Sequence, residues 1–172
     1  MRPNTKNTLA FAVLIGLALL SGGTEARADK EADATVLVND GTELMRANRN
    51  VESLAKFQDA LKLCPTSVVA HHNMGLVLQK LGRLDEAEKE YKSALELAPA
   101  RGTTVLSLGG LYQQQKRPAD AIAAYQQFLK LDPKNKDAAK VTNLINGLAR
   151  QPAPQPEASE RSDSNEDAFA VK

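Results

Sequence analysis

Residues 68–101 read VVAHHNMGLVLQKLGRLDEAEKEYKSALELAPAR, two helical patterns on either side of a glycine and closed by a proline. Apolar residues recur at helical spacing before Gly82, as at Leu78, and after it, as at Tyr91. Gly82 is free to adopt the left-handed conformation that ends a helix, and Pro99 cannot continue one. The stretch therefore predicts two helices, over 68–81 and 84–97, joined by a tight turn.

The same pattern occurs three times along the chain with a period of 34 residues. Three sets of residues share a position in this period: Pro65, Pro99 and Pro133; Gly41, Gly75 and Gly109; Phe57, Tyr91 and Tyr125. A fixed period of this length is typical of a helical repeat array. It predicts repeats at 34–67, 68–101 and 102–135. Residues 136–149 keep helical spacing but have a polar second face, which suits a helix that caps the open end of the array.

The two ends of the chain differ from the repeats. Arg2 and Lys6 precede an uncharged apolar run over 9–20, and Ala26-Arg27-Ala28 has the small-x-small form of a cleavage site. We therefore expect residues 1–28 to be a signal peptide, followed by a short linker at 29–33; an uncleaved anchor is the alternative. The protein would be exported to the periplasm, or alternatively outside the cell, with no stable membrane span after cleavage, because a span needs roughly 20 apolar residues.

The segment 150–172 is rich in Pro, Gln, Ser, Glu and Asp and has little apolar area to bury. Such a composition predicts a disordered tail.

Composition and motifs argue against several classes of function. A formal net charge of +1 gives no basic face for nucleic acid. The chain has no catalytic Ser/His/Asp arrangement and no phosphate-binding loop. The adjacent residues His71 and His72 point about 100° apart on a helix, so they are poorly placed to chelate one metal. We therefore expect no enzyme and no cofactor or metal, with catalysis or metal transport through Cys64 or His72 as a competing hypothesis.

The second repeat resembles the tetratricopeptide repeat. The residues that carry the resemblance are Met74-Gly75, Leu78, Gly82, Ala87, Tyr91, Ala94 and Pro99. The third repeat has Lys116 at the turn glycine and Phe128 at the second alanine, and the first has Asp40 for leucine and Ser53 for alanine. The resemblance implies an all-α fold, a right-handed superhelical solenoid of three helix-turn-helix repeats plus a C-terminal capping helix.

The resemblance also implies a concave groove lined by the first helix of each repeat. The residues at the groove positions are Val38, Asn39, Thr42 and Arg46; Val69, His72, Asn73, Leu76, Gln79 and Lys80; and Leu106, Ser107, Gln113 and Gln114. Asn39, Asn73 and Ser107 recur 34 residues apart and predict a polar ladder for a peptide backbone. The alternative is an ordinary solvated concave face.

Chaperone-binding members of the family hold a terminal carboxylate with lysine, arginine and asparagine, and here only Asn73 matches those positions. Val38, Thr42, Thr103 and Ser107 occupy the others, so we expect no carboxylate clamp. The leading hypothesis is a non-catalytic module that holds or helps assemble another protein, or binds an extended peptide segment, in the cell envelope. The alternative is a self-assembling scaffold, a homo-oligomer built by contacts between copies.

Overall fold

A computed structural model describes the backbone of residues 5–150 and the side chains of residues 25–150. This part of the chain forms seven α-helices. They are α1 (Thr5–Arg46), α2 (Asn50–Leu63), α3 (Val68–Lys80), α4 (Leu84–Leu97), α5 (Gly102–Gln114), α6 (Pro118–Leu131) and α7 (Ala138–Ala149).

The helices pack as successive hairpins, α1 with α2, α3 with α4 and α5 with α6. Each hairpin packs on the next through α2 and α3, then α4 and α5, and α7 packs on α6. The first helices also contact one another, α1 with α3 and α3 with α5, whereas within the described residues the backbones of α2, α4 and α6 do not approach one another closely. The first helices therefore line the inner side of a curved stack, and the predicted all-α helical repeat solenoid is confirmed.

The turns inside the hairpins use left-handed residues at equivalent places. Asn48 has φ 58°, Gly82 has φ 76° and Lys116 has φ 57°. The left-handed conformation expected of Gly82 is confirmed, and Asn48 adopts it at the equivalent turn of the first hairpin. Lys116 adopts the same conformation without glycine's freedom, so this turn carries a local conformational cost.

A ring from the second helix of each hairpin packs on a glycine of the first. Phe57 and Tyr91 are fully buried, and Tyr125 nearly so. They belong to one continuous apolar core that runs from Val38 to Leu148. Because this core is shared among the hairpins, no hairpin completes its core alone.

The first repeat compensates for its two departures from the pattern. Ser53 is fully buried where alanine is expected, and its hydroxyl donates a 2.7 Å hydrogen bond to the Gly41 carbonyl. Asp40 stands where leucine is expected and forms a 3.1 Å ion pair with Lys56 of α2. The buried hydroxyl of Ser53 is therefore partnered, which avoids the cost of an unsatisfied buried group, and Asp40 stays at the surface.

Residues 29–33, expected to be a linker, lie inside α1, so that expectation is wrong. Arg27 pairs with Glu31 at 3.1 Å, and the Thr35 hydroxyl donates to the Glu31 carbonyl at 2.8 Å, both four residues apart on one helix face. Alanine, lysine and glutamate in this stretch are strong helix formers, and contacts at this spacing add to helix stability.

Two other segments remain predictions. The side chains of most of the predicted signal peptide, 1–28, lie outside the described residues, as does the predicted disordered tail beyond Arg150. Over the range that the structure does cover, no helix has the length and apolar content needed to cross a membrane.

The junction between the second and third hairpins has a polar cluster centred on Arg117. Its guanidinium lies 4.4 Å from the centre of the Tyr112 ring and donates to Glu88 at 2.7 Å and to Asp120 at 2.6 Å. The Tyr112 hydroxyl also donates to Glu88, at 3.2 Å. These groups join α4, α5 and α6 at one place.

Candidate functional site

The groove positions on α1, α3 and α5 fall into an accessible set and a buried set. Those with accessible surface are Asn39, Thr42, Arg46, Val69, Asn73, Leu76, Gln79, Lys80, Leu106, Ser107, Gln113 and Gln114. Val38 and His72 are buried. These two were expected to face a partner, and the structure places them in the packing beneath the groove instead.

His72 lies in the seam between α3 and α5 and is only 8% exposed. Its Nδ1 is 3.0 Å from the Thr104 hydroxyl, and its ring centre is 5.8 Å from that of Tyr91. Burial, and to a smaller extent the positive charge of Arg101, lowers the pKa of His72 to about 4. His72 is therefore a neutral packing residue at neutral pH, held between two repeats.

His71 lies between α4 and the loop that precedes α3. Its Nδ1 is 2.7 Å from the Glu90 carboxylate and its Nε2 is 3.0 Å from the Pro65 carbonyl oxygen. The hydrogen bond to Glu90 is the main cause that raises the pKa of His71, and the bond to Pro65 adds to it. Both ring nitrogens face hydrogen-bond acceptors. The imidazolium has an N–H on each nitrogen and can donate to both acceptors, whereas the neutral ring can donate to only one.

The three residues of the predicted polar ladder differ in their hydrogen bonds. The Asn73 amide donates to the Thr42 hydroxyl at 3.2 Å, which links α3 to α1 across the groove floor. Ser107 donates to the Thr103 carbonyl of its own helix at 3.0 Å, and Asn39 is exposed. A primary amide has two donor hydrogens and an acceptor oxygen, so Asn73 keeps capacity for a bound backbone.

A second row of amides is tied to the buried tyrosines. Gln79 accepts a 2.9 Å hydrogen bond from the Tyr91 hydroxyl and donates to Gln114 at 3.0 Å. Gln113 accepts from the Tyr125 hydroxyl at 3.1 Å. Each hydroxyl holds a groove amide in a fixed orientation, which lowers the entropy lost when that amide binds a ligand.

Apolar and basic side chains complete the groove surface. Val69 is 42% exposed, and Leu76 and Leu106 are partly exposed. Arg46 is paired with Glu43 at 2.5 Å, whereas Lys80 has no ion pair among the described residues. None of the groove residues named above is acidic, so the surface favours apolar and acidic side chains of a ligand.

An open crevice of about 520 Å³ extends the groove beyond α5. It is lined by Gln113, Lys140, Asn143, Leu144, Gly147 and Leu148. Lys140 and Asn143 were expected on the solvated outer face of the cap. They are exposed but line this crevice, because α7 takes the place of the first helix of a further repeat. The 34-residue period indicates this placement, because Lys140 and Leu144 stand 34 residues after Leu106 and Gly110 of α5.

Cys64 is half-buried at the end of α2, with its sulfur 3.8 Å from the Thr66 hydroxyl. Over residues 25–150, no three His, Cys, Asp or Glu side chains lie close enough together to hold a metal ion. The structure thus gives Cys64 and His72 local packing roles and brings neither into a chemical cluster.

Comparison with known proteins identifies the repeats. Residues 66–134 match the family model of the tetratricopeptide repeat. No curated protein shows significant similarity to the chain.

Several solved structures share the fold. The tetratricopeptide-repeat domain of Arabidopsis OM64 aligns with a TM-score of 0.65 at 18% identity, covering 69% of this chain and 98% of that one. The first such domain of Spaghetti (RPAP3), solved with an HSP90 peptide, has a TM-score of 0.63 at 20% identity, covering 67% and 93%. The Yersinia enterocolitica type III secretion chaperone SycD, solved with a peptide of the translocator YopD, has a TM-score of 0.63 at 13% identity, covering 67% and 91%.

Proposed function

This chain is a tetratricopeptide-repeat protein, and from that premise we propose that it binds an extended segment of a partner protein in the groove formed by α1, α3 and α5. The observation that carries the proposal is the Thr42–Asn73 link. The link holds the Asn73 amide on the groove floor with hydrogen-bonding capacity left for a ligand. Accessible apolar side chains lie beside it. Two proteins of similar fold, the RPAP3 domain and SycD, were solved with peptides bound, which supports the same mode here.

The groove favours a peptide with apolar side chains and an occasional acid. The amides of Asn39 and Asn73 suit the peptide backbone. Val69, Leu76 and Leu106 suit apolar side chains, which gain roughly 25 cal/mol for each Å² of apolar area removed from water. A carboxylate clamp has charged or amide side chains at the positions of Thr42 and Ser107. We therefore do not expect the C-terminal tail of a chaperone as the ligand.

We further propose that binding takes place after export and that the protein holds or helps assemble its partner in the cell envelope. The predicted signal peptide over 1–28 supports this location. Cell fractionation and N-terminal sequencing of the purified chain test it. We expect an envelope or external fraction whose sequence begins at Asp29, whereas a cytoplasmic protein that begins at Met1 would contradict export.

A matched pair of substitutions tests the groove. Val69 on α3 and Leu97 on α4 are both 42% exposed and apolar, but only Val69 lies on the groove helices. A peptide is first selected from a random library on the purified chain, and its affinity is then measured by fluorescence anisotropy. We expect Val69→Asp and Asn73→Ala each to weaken binding about 10-fold, the effect of 1.4 kcal/mol. Leu97→Asp should leave the affinity unchanged, and an equal loss in all three variants would reject the groove.

Self-assembly is a second candidate because apolar residues are exposed at the start of the stack. Val36 on α1 is 59% exposed and Val51 on α2 is 72% exposed. Apolar surface at the end of an open repeat array is suited to contact with another copy. Light scattering over a range of concentrations decides between the two candidates. A dimer that Val51→Ser abolishes would support assembly, and a monomer at every concentration would reject it.

A further inference from the structure

The segment after α7 has the chemistry that the end of the groove is suited to bind. Residues 151–172 contain five acidic and two basic side chains, and their one aromatic residue is Phe169. Glu166 and Asp167 stand three and two residues before it. The segment follows directly on α7, whose last turn, with Gly147 and Leu148, lines the crevice. An acidic stretch that is followed by an aromatic residue thus begins next to a basic, partly apolar crevice.

We propose that Phe169 docks in the crevice between α5 and α7, with Glu166 and Asp167 beside Lys140, so that the protein's own C-terminal segment covers the end of the groove. The docked segment competes with a partner peptide for Gln113 and the surface next to it. Docking itself stands on the crevice alone, and only the competition rests on the proposed function.

The crevice has the size and lining for a phenyl ring. Its volume of about 520 Å³ exceeds that of a phenylalanine side chain, and Leu144 and Leu148 supply apolar surface. A Cβ added at Gly147 would meet no atom within 4 Å, so this side of the crevice is open. Burial of a phenylalanine side chain contributes about 1.5–3 kcal/mol.

Charge gives the segment its position in the crevice. Lys140 is exposed at the rim and has no ion pair within the described range. An exposed pair with Glu166 or Asp167 contributes only about 0.2–1 kcal/mol. The charges therefore favour one register of the acidic segment, while the ring supplies most of the affinity.

The chain between α7 and Phe169 is long enough to return to the crevice, and closing this loop costs little free energy. The 19 residues from Arg150 to Phe169 reach about 60 Å when extended, and the ring has only to return to the helix that precedes them. A tethered segment has an effective concentration in the millimolar range. A segment with an intrinsic Kd of about 0.3 mM would therefore weaken a competing peptide by roughly 4-fold.

A tryptophan reporter tests docking in the full chain, which contains no tryptophan. Phe169→Trp places a single fluorophore on the segment. We expect blue-shifted emission and protection from a soluble quencher, both lost when Lys140→Glu or Gly147→Leu is added. Gly147→Leu adds apolar volume to the crevice from a position where a Cβ meets open space. Lys130→Glu on α6 is the control with the same change of charge as Lys140→Glu. The control should leave the emission blue-shifted.

Each other outcome overturns the proposal. Emission of a solvated tryptophan in the single variant would show that the segment does not dock. A blue shift that survives both crevice substitutions would place it elsewhere. A blue shift lost on dilution would assign the crevice to a second copy of the chain.

A competition measurement separates this inference from the proposed function. With the library-selected peptide as probe, Phe169→Ser should raise the affinity of the chain about 4-fold. A blue shift without any change in peptide affinity would reject competition but keep docking. If peptide binding in the groove were rejected, the tryptophan result on docking would still stand.

Discussion

A Cβ built on Gly75 would stand 2.6 Å from Cε1 of Tyr91, closer than real Cβ contacts come. The contact is with a ring that is fully buried, so the ring has little room to move aside. We expect Gly75→Ala to destabilise the protein by about 1–3 kcal/mol, the cost of overpacking a core. Urea denaturation measures this as a lower midpoint with an unchanged slope.

Gly147→Ala is the matched control for that substitution. Gly147 is also helical, but an added Cβ there meets open space. Alanine should therefore stabilise α7 by up to about 1 kcal/mol, its helix propensity advantage over glycine. If both substitutions destabilise alike, the close approach of Gly75 to Tyr91 is not the cause.

Truncation of the Tyr91 ring tests the core more severely. We expect Tyr91→Ala to cost about 3–5 kcal/mol, the range for removal of a large buried ring. Tyr91→Phe should cost only about 1 kcal/mol, because it removes the hydrogen bond to Gln79 and keeps the packing. A melting curve left unchanged by Tyr91→Ala would mean that the repeat register is wrong.

The turn at Lys116 offers a stabilising substitution. Its φ of 57° is a conformation that glycine adopts without the steric cost of a Cβ. Lys116→Gly should raise the free energy of unfolding by roughly 1 kcal/mol. Gly82→Ala, at φ 76°, should lower it, and the two thermal shifts must have opposite signs.

His72 makes the protein sensitive to acid. Its pKa of about 4 in the fold lies below the ordinary value of 6.5, so the unfolded chain binds more protons between these values. Stability therefore falls as the pH drops from about 6.5 and levels off below about 4, a loss on the order of 3 kcal/mol. His72→Gln should remove this loss, and an acid loss in the variant as large as that of the wild type would contradict it.

His71 acts in the opposite direction because its pKa is raised. The stabilisation by its bonds to Glu90 and Pro65 is fully present below the unfolded pKa and is lost as the pH rises through the folded pKa. The stability difference between the wild type and His71→Gln should therefore shrink from mildly acidic to alkaline pH. A difference independent of pH would assign His71 a packing role alone.

The sequence predicted the parts of the fold that repeat. The 34-residue spacing of the glycines, aromatic rings and prolines predicted all six helices of the three hairpins. Each of these residues acts on the backbone next to it through local steric effects. Features that depend on contacts between repeats were not predicted. His72 faces Thr104 of the next repeat, and only the packing of α3 on α5 shows that this position is buried.

The ends of the array were also harder to predict than its centre. Residues 29–33 extend α1 because their helix propensity outweighs their charge, a balance that composition alone does not reveal. The polarity of Lys140 indicates a solvated face, whereas its place in the 34-residue period, after Leu106, indicates a groove position. The groove positions were inferred from the first helices together, but Val38 and His72 show that burial varies among equivalent positions.

The Arg117 cluster makes the two junctions of the stack unequal. Glu88, Tyr112 and Arg117 join the second and third hairpins through several hydrogen bonds, whereas few polar contacts, the Asn73–Thr42 bond among them, join the first and second. In a linear array each junction opens with its own free energy. Loss of the Arg117 cluster should therefore let the groove widen between α3 and α5, while the junction between the first and second hairpins, which has few polar contacts, is left unchanged.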